Sequence, residues 1–215
     1  MLMTVLQARK LSLSDVHRLL SFPRKPGSLT FPLTLEPLSE LEQRELNQIR
    51  NDFEHYVFEG KVSEGQVKLL TVAPLFRLAG FYQHPIKITL EENIERIVVE
   101  DEDTQIEGRL DILAVNKTRQ TITDVPFWII VIECKNSGVE ALVGLPQLLT
   151  YAFQSLNHQK TIWGLATNGI RYQFVRIFSE ASPVYQIMPA FSLIEAESSA
   201  SLLQVLKAIA LDVKS

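Results

Sequence analysis

Apolar residues recur at helical spacing in the first third of the chain and fall in runs or alternation through its middle. A short helix is expected over 14–20 (Ser14-Asp15-Val16-His17-Arg18-Leu19-Leu20), with Ser14 as its N-cap. Pro23, Pro26, Gly27, Pro32 and Pro37 then mark an extended or looping stretch. Leu41, Leu46, Ile49, Phe53, Tyr56 and Val57 predict an amphipathic helix over 39–58, ended by Gly60. Val67, Leu70, Val72, Leu75 and Phe76 predict another over 63–78, with Gly80 as its stop. Pro74 lies inside that helix and implies a kink or a break.

The middle alternates. Residues 86–90 and 97–100 read as strands or as one bent pair, 106–115 as a strand, and 116–124 as a polar turn. Residues 127–135 form the most apolar strand of the chain. A helix follows, with either Ser137 and Glu140 as a capping box or a fresh start at Pro146. Its apolar face is Leu142, Leu145, Leu148, Leu149, Ala152, Phe153 and Leu156. Strands over 161–166 and 170–178 flank the turn Thr167-Asn168-Gly169, and a last helix covers 202–213. This order predicts an α/β or α+β fold: a mixed central sheet flanked by helices. An irregular and helical extension (1–60) precedes a core (61–215), the whole packing as one compact unit. Leu29, Phe31, Leu33 and Leu35 in the extension are suited to wrapping that core or a second subunit, as in a homodimer.

Charge placement then points to chemistry. The run Ile129-Ile130-Val131-Ile132 reads as a buried strand, yet it ends on Glu133-Cys134-Lys135. Isolated buried charges cost several kcal/mol each. Glu133 and Lys135 share one face of the strand and Cys134 takes the other. Asp111 sits inside the similar apolar run from Gly108 to Val115. Asp111 and Glu133 are the carboxylates a hard divalent cation needs, and the Cys134 backbone carbonyl adds a third oxygen. Phosphodiester hydrolysis needs an activated water and charge neutralisation, which Mg²⁺ or Mn²⁺ supplies. Lys135 would orient or deprotonate the water, or stabilise developing charge. An ordinary surface ion pair between Glu133 and Lys135 is the competing reading.

Composition bounds these readings. With 215 residues, 46% of them hydrophobic, the chain can bury a proper core. No apolar run is long enough for a membrane span, and no basic stretch precedes Leu2 to Leu6 as in a secretory signal. A cytoplasmic protein is expected. The single cysteine excludes an internal disulfide and any multi-cysteine zinc site. The net charge of −4 counts against DNA binding, but the acids concentrate in one segment: Glu91, Glu92, Glu95, Glu100, Asp101, Glu102, Asp103 and Glu107. A solvated hairpin accounts for that run, and the remaining chain is mildly basic.

The set Gly108-Arg109-Leu110-Asp111, then Glu133-Cys134-Lys135, then a helix with Gln147 and Tyr151 four apart, resembles the PD-(D/E)XK nuclease superfamily. It is most similar to the N-terminal nuclease region of type I restriction enzyme motor subunits and their stand-alone relatives. Thr167-Asn168-Gly169 matches a strand ending common in that group, and the similarity spans roughly Ser63 to Phe178. Leu110 stands where the superfamily name places a proline. The resemblance implies a restriction-endonuclease-like core and a Mg²⁺-dependent endonuclease acting on DNA, tied to restriction or repair. Asp111 and Glu133 would bind metal, Lys135 would be catalytic, Gln147 would approach the site, and Glu64 would be the family's helical glutamate. No Gly-x-x-x-x-Gly-Lys-Ser/Thr loop is present, so motor activity or DNA recognition would come from another subunit. An inactive nuclease-fold module for binding nucleic acid or protein is the alternative. Glu64 as a first-turn acid, Gln147 with Tyr151 as a helix-edge pair, and Arg109 paired to Glu107, Asp111 or a phosphate remain open.

Overall fold

A computed structural model describes residues 4–27, 30–94, 96–99, 102–120 and 126–212. Seven strands form the main sheet: β2 (Arg24–Lys25), β10 (Pro183–Ser192), β9 (Arg171–Ser179), β8 (Thr161–Thr167), β7 (Pro126–Cys134), β6 (Ile112–Gln120) and β3 (Ile86–Leu90), in that spatial order. β7 and β8 are parallel, as are β10 and β2, while the other pairs are antiparallel. A parallel pair needs a long crossover, and α5 (Leu145–Ser155) lies within the one joining β7 to β8. One sheet face is covered by α2 (Glu40–Glu59), by α3 (Glu64–Val67) running through a π turn into α4 (Ala73–Ala79), and by α6 (Ala196–Asp212). The other face is covered by α5 and α1 (Leu13–Leu19). The mixed central sheet flanked by helices is therefore as expected.

A second sheet joins β1 (Thr4–Gln7), β5 (Thr104–Glu107) and β4 (Ile97–Val99). β4 and β5 are the hairpin expected in the acidic segment, and β1 pairs parallel to β5. Ile97 and Ile106 are buried on the α5 side of the molecule, so this hairpin is solvated on one face only. Glu95, Glu100 and Asp101 lie outside the described residues.

Several boundaries differ from expectation for local reasons. Ser12, not Ser14, caps α1: its hydroxyl accepts from the Asp15 N–H and the Asp15 carboxylate accepts from the Ser12 N–H. The strand expected over 106–115 is split into β5 and β6, because Gly108 bends the chain from the small sheet into the large one. A Cβ there would lie 2.7 Å from Tyr151 Cε1 and 2.9 Å from Ala8 Cβ. β6 continues to Gln120 through the segment expected to be a turn, with its register shifted after Asn116. Asn116 Oδ1 accepts from the Thr118 and Arg119 N–H groups, the local bonding that suits asparagine to turns. Residues 121–125, where that turn was expected to end, lie outside the described set.

No capping box forms at Ser137. Its hydroxyl instead accepts from the Val62 N–H at 2.9 Å, and the helix starts afresh with Pro146 in its first turn. Pro74 neither ends nor breaks its helix; the π turn Lys68–Val72 precedes it, and a proline lacks the N–H that a regular turn would use. β10 was not expected at all. Pro183 and Pro189 disguise it, and Pro189 falls where the register with β9 shifts, a place a sheet tolerates proline. α6 also begins earlier than expected, at Ala196. In the extension, Phe31 and Leu33 pack on this chain's own core, Leu35 is exposed, and Leu29 is outside the described residues.

Candidate active site

β7 carries its charges to the end of the sheet. Ile130, Ile132 and Cys134 face the α2–α4 side, whereas Val131 faces α5. Glu133 and Lys135 follow the Val131 phase, so they emerge under the N-terminus of α5. The chain passes over them closely at Gly144, where a Cβ would stand 2.7 Å from Glu133 Cγ. Only a residue without a side chain lets the 3₁₀ turn Ala141–Gly144 sit against that carboxylate.

Lys135 Nζ donates to Glu133 Oε1 at 2.6 Å and to Gln147 Oε1 at 3.2 Å. An ammonium only donates, which fixes the Gln147 amide with its NH₂ outward. That NH₂ donates to Tyr151 Oη at 2.7 Å. Burial pushes the Tyr151 phenol well up, so it remains protonated. The end of strand β7 and helix α5 are thus tied by one hydrogen-bonded chain, and the Tyr151 ring lies close against Gly108.

Asp111 reaches the same sheet end from the neighbouring strand. Its Oδ2 accepts from the Cys134 N–H at 2.8 Å and its Oδ1 from Lys68 Nζ at 2.7 Å. In an extended strand the N–H and C=O of one residue point the same way, so the Cys134 carbonyl also faces the Asp111 side. The Cys134 thiol is buried on the opposite face, and burial pushes it well up, which leaves it an inert apolar group. Glu64, the first residue of α3, is 3.3 Å from Lys68. Burial disfavours the Lys68 ammonium, but Asp111 outweighs it and raises the lysine's pKa.

Glu133 differs from every other carboxylate here. It is 1% exposed, and Oε2 has no hydrogen-bond partner. Burial first, then the charge of Asp111, push its pKa up to about 8, against the opposing pull of Lys135. A buried acceptor without a partner costs about 1–3 kcal/mol, so the site is incomplete as it stands. Among the described residues no group of three or more His, Cys, Asp or Glu stands close enough to hold a metal ion. Mg²⁺ does not demand such a group, since one or two carboxylates with several waters suffice. Glu133 Oε2, Asp111 and the Cys134 carbonyl fit that requirement. Glu64 faces Asp111 only across the Lys68 ammonium.

Asp111, Glu133, Lys135, Gln147, Tyr151 and Glu64 all line one cleft of about 730 Å³. Lys68, Gly144, Arg9 and Arg96 escaped the sequence reading, whereas Arg109 was singled out there; Glu64 and Lys68 at i, i+4 were the only legible trace of the first. Arg109 pairs with Glu91 at 3.4 Å, not with Glu107 or Asp111.

No family model matches the chain, and no curated protein matches its sequence. Among solved structures it is similar to the fragment structure of a putative HsdR subunit of a type I restriction enzyme from Vibrio vulnificus YJ016. The identity is 18% and the TM-score 0.40, over 68% of this chain and 26% of that one. This chain therefore spans about a quarter of that structure, and a likeness at this TM-score carries no weight for function.

Proposed function

We propose that this chain is a metal-dependent nuclease of the PD-(D/E)XK type that hydrolyses DNA phosphodiester bonds in restriction or repair. One observation carries the reading: two carboxylates, a lysine and a glutamine from three separate elements converge in one cleft, and one buried carboxylate oxygen there lacks a partner. Asp111, Glu133 and the Cys134 carbonyl would hold Mg²⁺ or Mn²⁺. The bound ion supplies Lewis acidity and lowers the pKa of a coordinated water. Lys135 presents its ammonium beside Glu133, where it orients the water and meets charge developing on the phosphate. Gln147 holds the lysine's head group, and Tyr151 holds the glutamine. Lys68 neutralises Asp111 in the absence of a metal, and Glu64 offers the lysine a second partner when a cation arrives.

DNA is the proposed partner, with a further subunit supplying recognition or motor activity. Among the described residues no helix is long and apolar enough to cross a membrane. Both Asp111 oxygens are already bonded and no three-acid cluster exists among the described residues, which favours a second reading: a nuclease fold retained as a binding module. Cleavage of supercoiled plasmid and of single-stranded DNA with Mg²⁺ or Mn²⁺ separates the two. Loss of about two or more orders of magnitude in Asp111→Ala and Lys135→Ala supports the nuclease. Inactivity of the parent, together with no metal-induced gain in thermal stability, supports the module.

A further inference from the structure

The wall of the cleft facing the carboxylates belongs to the small sheet and its flanks, and it carries three arginines. Arg9 comes from the 3₁₀ turn Ala8–Lys10 after β1, Arg96 from the lead-in to β4, and Arg109 from the Gly108–Asp111 turn. We propose that this wall is a DNA-backbone site, in which Arg9, Arg96 and Arg109 bind the phosphates flanking the one held at Asp111 and Glu133; it rests on the nuclease reading of the cleft.

Three features support it. Buried Ala8 packs against Gly108, and this contact delivers Arg9 into the cleft from a segment about a hundred residues away in sequence. Arg9 has no ion-pair or hydrogen-bond partner among the described residues, so its charge is unspent. Arg96 and Arg109 bond Glu107 at 3.0 Å and Glu91 at 3.4 Å but remain 72% and 61% exposed. Exposed pairs of this kind contribute little, so exchanging a carboxylate for a phosphate is cheap. A guanidinium fork matches two phosphate oxygens, which a lysine does not. The arrangement also bears on the chain's net charge of −4: among the residues lining this wall three arginines stand against one acid, Glu107, although the protein as a whole is acidic.

Anisotropy of a labelled oligonucleotide, single-stranded and duplex, measured with Mg²⁺ across a salt series tests this. Asp111→Asn serves as the parent, since it keeps an acceptor for the Cys134 N–H while removing the carboxylate. Arg9→Ala, Arg96→Ala and Arg109→Ala are added singly and together, with Arg44→Ala on the exposed surface of α2 as control. Each single change is expected to lower the slope of log affinity against log salt by about 0.7–0.9, and the triple by about two to three. Arg44→Ala should leave the slope unchanged, and melting should confirm that every variant is folded. An unaltered affinity and slope in the folded triple variant, or no DNA binding by the parent at low salt, overturns the proposal. Loss of DNA in the triple variant while Asp111→Ala still cuts would sink the assignment of the cleavage site to Asp111 and leave the wall standing. Catalytic loss at Asp111 with unchanged DNA binding in the triple would do the reverse.

Discussion

Asp111 and Glu133 stand at the same end of one sheet and are treated oppositely by the fold. Asp111 has both oxygens bonded, one to an ammonium and one to a backbone N–H. Glu133 is more deeply buried, has one oxygen without a partner, and is pushed up to about 8. Each carboxylate has one ammonium partner, but only Asp111 has its second oxygen satisfied; that of Glu133 is left for something else to complete. A cation gains most at the group the fold has left unsatisfied, so Glu133 is where binding and stability are coupled most tightly.

Replacing each acid by its amide should break the comparison most strongly, because the signs are opposite. Glu133 has a folded pKa above its unfolded value, so the native state holds a proton that the unfolded chain releases. Its contribution is present below about pH 4.5 and is lost as pH rises toward about 8. Glu133→Gln mimics the protonated form and removes that loss. The variant should melt higher than wild type at pH 8 without metal, by an amount on the order of a few kcal/mol, while gaining nothing from Mg²⁺. Asp111→Asn leaves Lys68 without its anion and should be less stable at neutral pH by roughly 1–3 kcal/mol. Thermal melts of both variants at pH 5, 6.5 and 8 check this. Equal shifts of the same sign would mean the two acids are not distinguished as described.

Gly144 guards the Glu133 side alone. Gly144→Ala places a methyl 2.7 Å from Glu133 Cγ, too close to be accommodated without moving the carboxylate. A displacement near 1 Å at a reacting centre costs roughly 100-fold in rate, so cleavage should fall by about that factor. The Asp111 bonds to Lys68 and Cys134 should persist, and single-turnover assays with the folded variant measure the effect.

These contrasts show what the sequence could and could not disclose. Asp111, Glu133 and Lys135 were legible because each is a charge embedded in an apolar run, a local signal, whereas Gln147 with Tyr151 followed only from the family resemblance, their spacing saying no more than that they share a helix face. Lys68 was not, because its bond to Asp111 spans 43 residues and no local pattern announces it. Arg9 reaches the cleft only through the parallel pairing of β1 with β5, which sequence alone does not reveal. Gly144 reads as an ordinary small residue until Glu133 is seen beneath it. β10 was hidden by its prolines, and β1 and β2 lie in a stretch that reads as irregular, although the other strands of the main sheet and its helices were predictable from period and run length.

A smaller effect follows from the proton that Glu133 carries. Metal can use that carboxylate only after displacing the proton, so Mg²⁺ affinity should rise about tenfold per pH unit below about 8 and level off above it. Calorimetry at pH 7 in buffers of different ionisation enthalpy should detect close to one proton released per ion bound. An affinity independent of pH between 6 and 8 would remove Glu133 from the ligand set.

The least severe change tests how far the Glu133 side depends on its supports. Tyr151→Phe deletes the oxygen that accepts from Gln147, with the ring and its packing retained. Gln147 is then free to turn its amide, and Lys135 loses one of the two acceptors that aim it. Because Tyr151 is hydrogen-bonded to neither Asp111 nor Glu133, kcat should fall by about tenfold with KM and Mg²⁺ affinity unchanged. A matching drop in metal affinity would mean that the tyrosine holds the carboxylates as well, and that the two halves of the site are less separate than the hydrogen bonds imply.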